Sequence, residues 1–325
     1  MIFKFSNAFS KAPIPENKLT TFNFFSIKFL HKNLNLGDIT QIDLDKFNGL
    51  EVDLLTHGSP CQDFSIIGKG AGGDEGCNTR SSLMWNSVEV IKRCKPKVVI
   101  WENVKNVLSK KNIHNFEKYL DSLENLGYTN HYKVLDAKDF GIPQNRKRIY
   151  VVSILDNNIE FNFPEGKEYE GTIFDILEKS EDDIKNKYQP RKRFFLKFKY
   201  KDSTKISEDV FSGKLGNKLV GDFRYDKGIG IRKNGKSPTL TCKTPSSFTS
   251  QPIIFEKKNG EMTARNLTEK ETFRLMGFSD KDYYKAEEVN PRRLKHINGA
   301  IYKQAGNSIV VNVLMAIFKE LYLKE

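Results

Sequence analysis

Between residues 52 and 155 short β-rich runs alternate with stretches of helical period, and this alternation limits what the 325-residue chain can fold into more than any other feature. VDLLTH at 52–57 reads as a buried strand ending at Gly58-Ser59-Pro60, and the Gly-, Asp- and Asn-rich residues 66–80 read as a loop. SSLMWNSVEVIKRC at 81–94 places apolar residues at helical spacing behind a Ser pair suited to capping. KVVIWENV at 97–104 follows Pro96 as a second strand, 113–126 form a helix stopped by Gly127, and strands follow near 131–136 and at 147–155. The alternation predicts an α/β fold, a Rossmann-like, mostly parallel sheet with helices on both faces. Ligands of such sheets bind beyond the carboxyl ends of the strands. Cys61 and Glu102 both stand just after predicted strands.

After about residue 160 the pattern changes to turns, charges and short β-like pieces. The expected division is a catalytic, cofactor-binding domain over 1–160 plus 301–325, and a smaller β-rich domain over 161–300. Thr268 and Glu271 have the spacing of a capping box opening a short helix closed by Gly277. Residues 305–323 read as an apolar helix, preceded by Gly306-Asn307-Ser308, that packs back on the first domain.

Lys and Arg number 53 against 41 Asp and Glu, a net charge of +12, which suits a polyanionic partner; a Lys-rich solvated surface gives the same count. Residues 185–201 (KNKYQPRKRFFLKFKYK) interleave eight basic residues with five aromatics, a composition for phosphates and bases or for an amphipathic strand pair. No run of 18 apolar residues occurs, so no membrane span is expected, and the start lacks a signal-peptide core, which places the protein in the cytoplasm. The four cysteines, Cys61, Cys77, Cys94 and Cys242, form no CxxC pair and do not cluster with histidines, so no metal site is expected.

Cys61 lies in GSPCQDFS, residues 58–65, a Gly- and Ser-flanked loop leaving a strand, where backbone N–H groups or nearby cations can favour the thiolate. This segment resembles the nucleophile loop of the cytosine-C5-specific DNA methyltransferases of bacteria and phages. The resemblance continues in the family's order: GDIT (37–40) upstream, then WENVKNV (101–107), QNRKRIYVV (144–152), RNLTEKETFRLMGF (265–278) and QAGNSIVVNV (304–313). It runs from about residue 36 to the C-terminus, with 160–230 as the variable part.

The resemblance implies a class I methyltransferase fold with a target-recognition domain, S-adenosyl-L-methionine as cofactor and duplex DNA as substrate. It implies that Cys61 adds to C6 of a flipped cytosine, so that C5 becomes nucleophilic, while Glu102 is the acid that holds N3, a role that needs a raised pKa. Without that context Glu102 would read as a strand-end ion pair. Arg146 and Arg148 would hold the base or its phosphates; otherwise they are surface arginines. Gln62 and Ser65 would shape the loop on the substrate side, with Asn103 buttressing it and Val104 beside it. Asp38, Ile39, Pro60, Asn307 and Ser308 would contact the cofactor, although a Gly-Asp turn and a Gly-Asn-Ser cap are common by themselves. The 66–80 loop would close over the DNA, or be a surface connection. A cognate restriction endonuclease would be the usual companion. An RNA methyltransferase and a silent DNA-binding chain are the alternatives.

The start departs from the family pattern. Its members open with a strand, a Phe-x-Gly-x-Gly loop and a second strand ending in a carboxylate, whereas residues 1–36 hold no glycine and one carboxylate, Glu16. The space before GDIT reads as too short for two strands and their helix. Three expectations follow: a truncated or frameshifted, inactive remnant; a second polypeptide that supplies the missing motif; or an unusual N-terminus that binds cofactor weakly.

Overall fold

The computed structural model describes residues 2–3, 24–29, 32–59, 64, 73–76, 81–155, 159–179, 201–224, 228–243, 251–291 and 297–323. The chain forms two compact units: one of residues 1–135, 147–165 and 316–325, the other of 136–146 and 166–315.

The first unit carries a mixed seven-stranded sheet. Its strands are β1 (Ile2–Phe3), β2 (Phe24–Phe29), β3 (Lys32–Asp38), β4 (Leu54–His57), β5 (Val98–Val104), β6 (Thr129–Asp136) and β7 (Lys147–Ile154), in the order β3-β2-β1-β4-β5-β7-β6. Pairing is parallel for β1–β2 and β4–β5, and antiparallel for β2–β3, β1–β4 and β5–β7. β5 lies between β4 and β7, and Val98, Val99, Ile100 and Trp101 are all buried, as expected of a strand covered on both faces. Helix α1 (Leu83–Cys94) buries Met84, Val88 and Ile91 on one stripe and stops at Lys95, whose left-handed backbone (φ 38°) returns its N–H to Ile91 O at 2.8 Å. Ser82 occupies its N-cap, and its side chain makes no capping hydrogen bond to the helix's first turn. Helix α2 (Ile113–Glu124) buries Phe116, Tyr119 and Leu123. It ends where Gly127 takes φ 96° and Tyr128 N–H reaches Leu123 O at 3.1 Å.

The stretch before Asp38 departs from expectation. It holds strands β1, β2 and β3, and β2 and β3 pair as a hairpin with Phe29 opposite Lys32, a connection that needs no helix. Glu16 lies outside the described residues.

The second unit holds a four-stranded antiparallel sheet in the order β11-β10-β8-β9, from β8 (Lys218–Arg224), β9 (Gly228–Ile231), β10 (Ile253–Lys258) and β11 (Glu261–Asn266). Helix α3 (Lys201–Phe211) packs on it, and Val210, Phe223, Ile229, Ile253 and Phe255 form the core. Helices α4 (Glu269–Arg274), α5 (Asp280–Val289), α6 (Gly299–Asn307) and α7 (Val311–Tyr322) follow. The capping box at α4 is made: Thr268 Oγ1 accepts from Glu271 N–H, and the Glu271 carboxylate accepts from Thr268 N–H.

Two sequence expectations change here. The units divide at 136, 147 and 166 rather than at 160, and residues 301–315 belong to the second unit, because 136–146 hydrogen-bond to Ser237, Leu240 and Leu275 and α6 packs on α4. The single helix expected over 305–323 is two: Gly306 and Asn307 close α6, Ser308 is its C-cap, and α7 starts at Val311. Most of the basic-aromatic stretch 185–201 lies outside the described residues.

Candidate active site

β4 and β5 run parallel with His57 opposite Trp101, so Gly58 and Ser59 leave the sheet beside Glu102 and Asn103. Successive β5 residues face opposite ways, and the two side chains do different things. A side chain on Gly58 would begin 3.6 Å from Glu102 Oε2 and from its backbone oxygen, so the carboxylate overlies the start of the segment that carries Cys61. Glu102 stands opposite Tyr150 on β7, and Arg148 lies two residues earlier, hence on the same face. Its Nε meets Glu102 Oε1 at 3.2 Å, and both side chains are about 15% exposed (15% and 14%). A partly buried guanidinium–carboxylate pair holds its geometry better than an exposed one, because neither group is free to rotate into water.

Asn103 points the other way. It is 1% exposed, its Nδ2 donates to Ser59 Oγ (3.0 Å) and Ser59 O (3.3 Å), and its Oδ1 accepts from Val104 N–H at 2.8 Å. It therefore braces Ser59 at the exit of β4, with its own side chain buried. Trp101 Nε1 adds a bond to Ser59 Oγ at 3.2 Å. Val104 is partly buried at the strand's end. Further along, Asn106 Nδ2 donates to Phe64 O at 2.5 Å, Trp85 Nε1 to Gly73 O at 2.8 Å, and Asp74 Oδ1 meets His114 Nε2 (2.7 Å) and Asn115 Nδ2 (2.8 Å). Pro60, Cys61, Gln62 and Ser65 lie outside the described residues, as do 66–72 and 77–80.

Behind the β4 end, His57 is buried with Nε2 2.9 Å from Tyr119 OH and its ring stacked against Trp101. Burial pushes its pKa down to about 3, so the imidazole is neutral. Ser59, Trp101, His57 and Tyr119 were not singled out from the sequence. The first three sit within or next to the matched motifs, and that adjacency was the signal available.

Asp38 is exposed at the end of β3, where its Oδ1 accepts from Thr40 N–H and Thr40 Oγ1, both at 2.9 Å. A fixed, exposed carboxylate there suits an amino-group donor such as that of adenine. Ile39 packs its side chain into the core of the first unit. Residues 1–36 contain no glycine, and residues 4–23 lie outside the described residues.

Arg146, Asn307 and Ser308 belong to the second unit. Arg146 is 4% exposed and gives Nη1 to Leu240 O (2.9 Å) and Nη2 to Gly306 O and Ser308 O (3.1 Å each). The sequence expects this guanidinium to hold the base or its phosphates; in the structure it is buried and bonded to three carbonyls. Asn307 is exposed, and Ser308 Oγ donates to Gln304 O at 2.5 Å.

Glu102, at the end of β5, thus pairs with Arg148 and lies over Gly58, three positions before Cys61. The chain belongs to the C-5 cytosine-specific DNA methylase family, whose model matches residues 8–323. It is 36% identical over 290 residues to the Type II methyltransferase M2.ScrFI of Lactococcus lactis subsp. cremoris, covering 89% of this chain and 71% of that protein. It is 33% identical over 284 residues to the Type II methyltransferase M.HhaI of Haemophilus parahaemolyticus, covering 86% and 78%. The fold is shared with the solved methyltransferase EhMeth of Entamoeba histolytica, at a TM-score of 0.58, 17% identity and coverage of 90% and 85%. No described helix is long and apolar enough to cross a membrane.

Proposed function

We propose that the chain methylates C5 of cytosine within a specific duplex DNA sequence, using S-adenosyl-L-methionine, through a covalent Cys61–C6 adduct on a flipped base. The observation that carries this reading is the Glu102–Arg148 pair at the β5 end, set over Gly58. Cytosine resists attack at C6 until N3 is protonated or strongly hydrogen-bonded. Glu102 holds N3, Arg148 fixes the Glu102 carboxyl, and the Cys61 thiolate then adds to C6. When bound, S-adenosyl-L-methionine would supply the electrophilic methyl group to C5, its methyl–sulfur bond breaking to leave S-adenosylhomocysteine. Loss of the C5 proton then lets the C6–sulfur bond break, returning Cys61. Asp38, on the cofactor side, receives the adenine amino group, and Asn307 and Ser308 face its amino-acid end. Gln62 and Ser65 shape the loop around the base. The companion restriction endonuclease remains part of this reading, since the matched Lactococcus and Haemophilus proteins are Type II enzymes.

Duplex DNA with 5-fluorocytosine in varied sequence contexts tests it. Fluorine at C5 cannot leave as a proton would, so a working chain stays bonded to the DNA in a cofactor-dependent way and Cys61→Ser does not. Capture by Cys61→Ser equal to that of the wild type would remove Cys61 as nucleophile.

The glycine-free start favours a second reading, a chain that binds DNA without transferring methyl groups unless another polypeptide completes the cofactor site. Titration calorimetry with S-adenosylhomocysteine separates the two: micromolar binding supports the active enzyme, and no binding supports the incomplete one.

A further inference from the structure

We infer that Arg146 is a positioning residue for the Gly306–Asn307–Ser308 turn, acting on the cofactor side of the reaction and not on the base. Three observations converge within the second unit. One guanidinium takes the carbonyls on both sides of Asn307, those of Gly306 and Ser308, and also that of Leu240. The Arg146 backbone is itself fixed, its N–H on Asp136 Oδ1 at 2.8 Å and its carbonyl accepting from Ala137 N–H at 3.2 Å. Finally, Gly306 is packed so tightly on the next segment that a Cβ there would lie 2.4 Å from both the carbonyl carbon and oxygen of Thr241. Neither Gly306 nor Arg146 can be changed without moving the turn or the 240–242 segment. Gln144 supports the same junction: it is fully buried, donates to Leu275 O and accepts from Leu240 N–H, each at 2.9 Å.

Alternate members of one short motif are thereby divided in duty. Arg148 faces Glu102, while Gln144 and Arg146 clamp carbonyls of the second unit. A guanidinium can hold three acceptors in one plane and an ammonium cannot, so Lys at 146 keeps the charge and loses the clamp. The inference rests on the reading that Asn307 and Ser308 meet the cofactor.

The test uses the full chain with Arg146→Lys, Gly306→Ala and, as comparator, Arg148→Lys. Amide hydrogen exchange is read without ligand, then S-adenosylhomocysteine affinity by calorimetry and duplex affinity by filter binding. For Arg146→Lys we expect faster exchange confined to 240–242 and 304–309, cofactor-product affinity lowered about tenfold, and duplex affinity within about twofold of wild type. Gly306→Ala should reproduce that pattern with the guanidinium intact, and it carries the test if Arg146→Lys does not fold. Arg148→Lys should leave exchange at the turn unchanged. Unchanged exchange at the turn, or a uniform rise over the whole second unit, overturns the inference. So does a loss of duplex binding with cofactor-product affinity preserved, which would return Arg146 to the base. If the wild type itself binds no S-adenosylhomocysteine, the cofactor reading fails, and the exchange pattern alone still decides whether Arg146 positions the turn.

Discussion

At the scale of single residues, Arg148 on β7 pairs with Glu102 on β5, and Asn103 and Trp101 both bond Ser59 Oγ. In the proposed reaction Glu102, paired with Arg148, acts in the transition state. Glu102→Gln keeps the shape and removes the proton; it should slow methyl transfer by about 100-fold or more while duplex affinity changes little. Single-turnover rates measured alongside duplex affinity check this, and an equal loss in both would count against the acid role. His57 adds a pH dependence of another kind. Its folded pKa is depressed to about 3 by burial, below the ordinary value near 6.5. The unfolded chain therefore binds the extra proton first, and stability falls as pH drops from about 6.5 toward 3. Urea melts at pH 7 and pH 5 should show this loss, and His57→Leu should flatten it; an unchanged slope in that variant would assign the loss to other groups.

At the scale of elements, periodicity foretold much and tertiary contact decided the rest. α1, α2, β4, β5 and β7 were legible because each buries one stripe or both faces of a run whose period is local to the sequence. The break between α6 and α7 was not legible. Gly306 serves the close approach of Thr241, a partner 65 positions away in the chain, and no local pattern carries that information. The two arginines show the same limit. Their two-residue spacing suggests a shared strand face, but Arg146 precedes β7 and is outside its pleat. At α4 local and tertiary demands agree, since Thr268 Oγ1 accepts from Glu271 N–H and donates to Glu178 Oε2 at 2.6 Å. Thr268→Ala should cost about 1–2 kcal/mol, read by chemical denaturation. Gly277→Ala should also destabilise, by about 1–3 kcal/mol, because the residue has φ 83° and a Cβ there would lie 2.4 Å from Asn312 Oδ1. Full stability in that variant would mean the α4 exit does not need the left-handed backbone.

At the scale of the molecule, the Glu102–Arg148 pair lies in the α/β unit and the Gly306–Asn307–Ser308 turn lies in the β-rich unit. The net charge of +12 suits a duplex partner, and affinity should fall steeply as salt rises. The central claim is transfer of a methyl group to C5 of cytosine, and it is tested most directly by its product. The purified chain is incubated with S-adenosyl-L-methionine and duplex DNA of high sequence complexity, and every cytosine is then scored for 5-methylation by sequencing. The expected result is 5-methylcytosine in one short sequence context, absent from the Cys61→Ser and Glu102→Gln reactions. DNA left unmethylated by a chain that binds the cofactor and the duplex, or methylation that persists in Cys61→Ser, would contradict it.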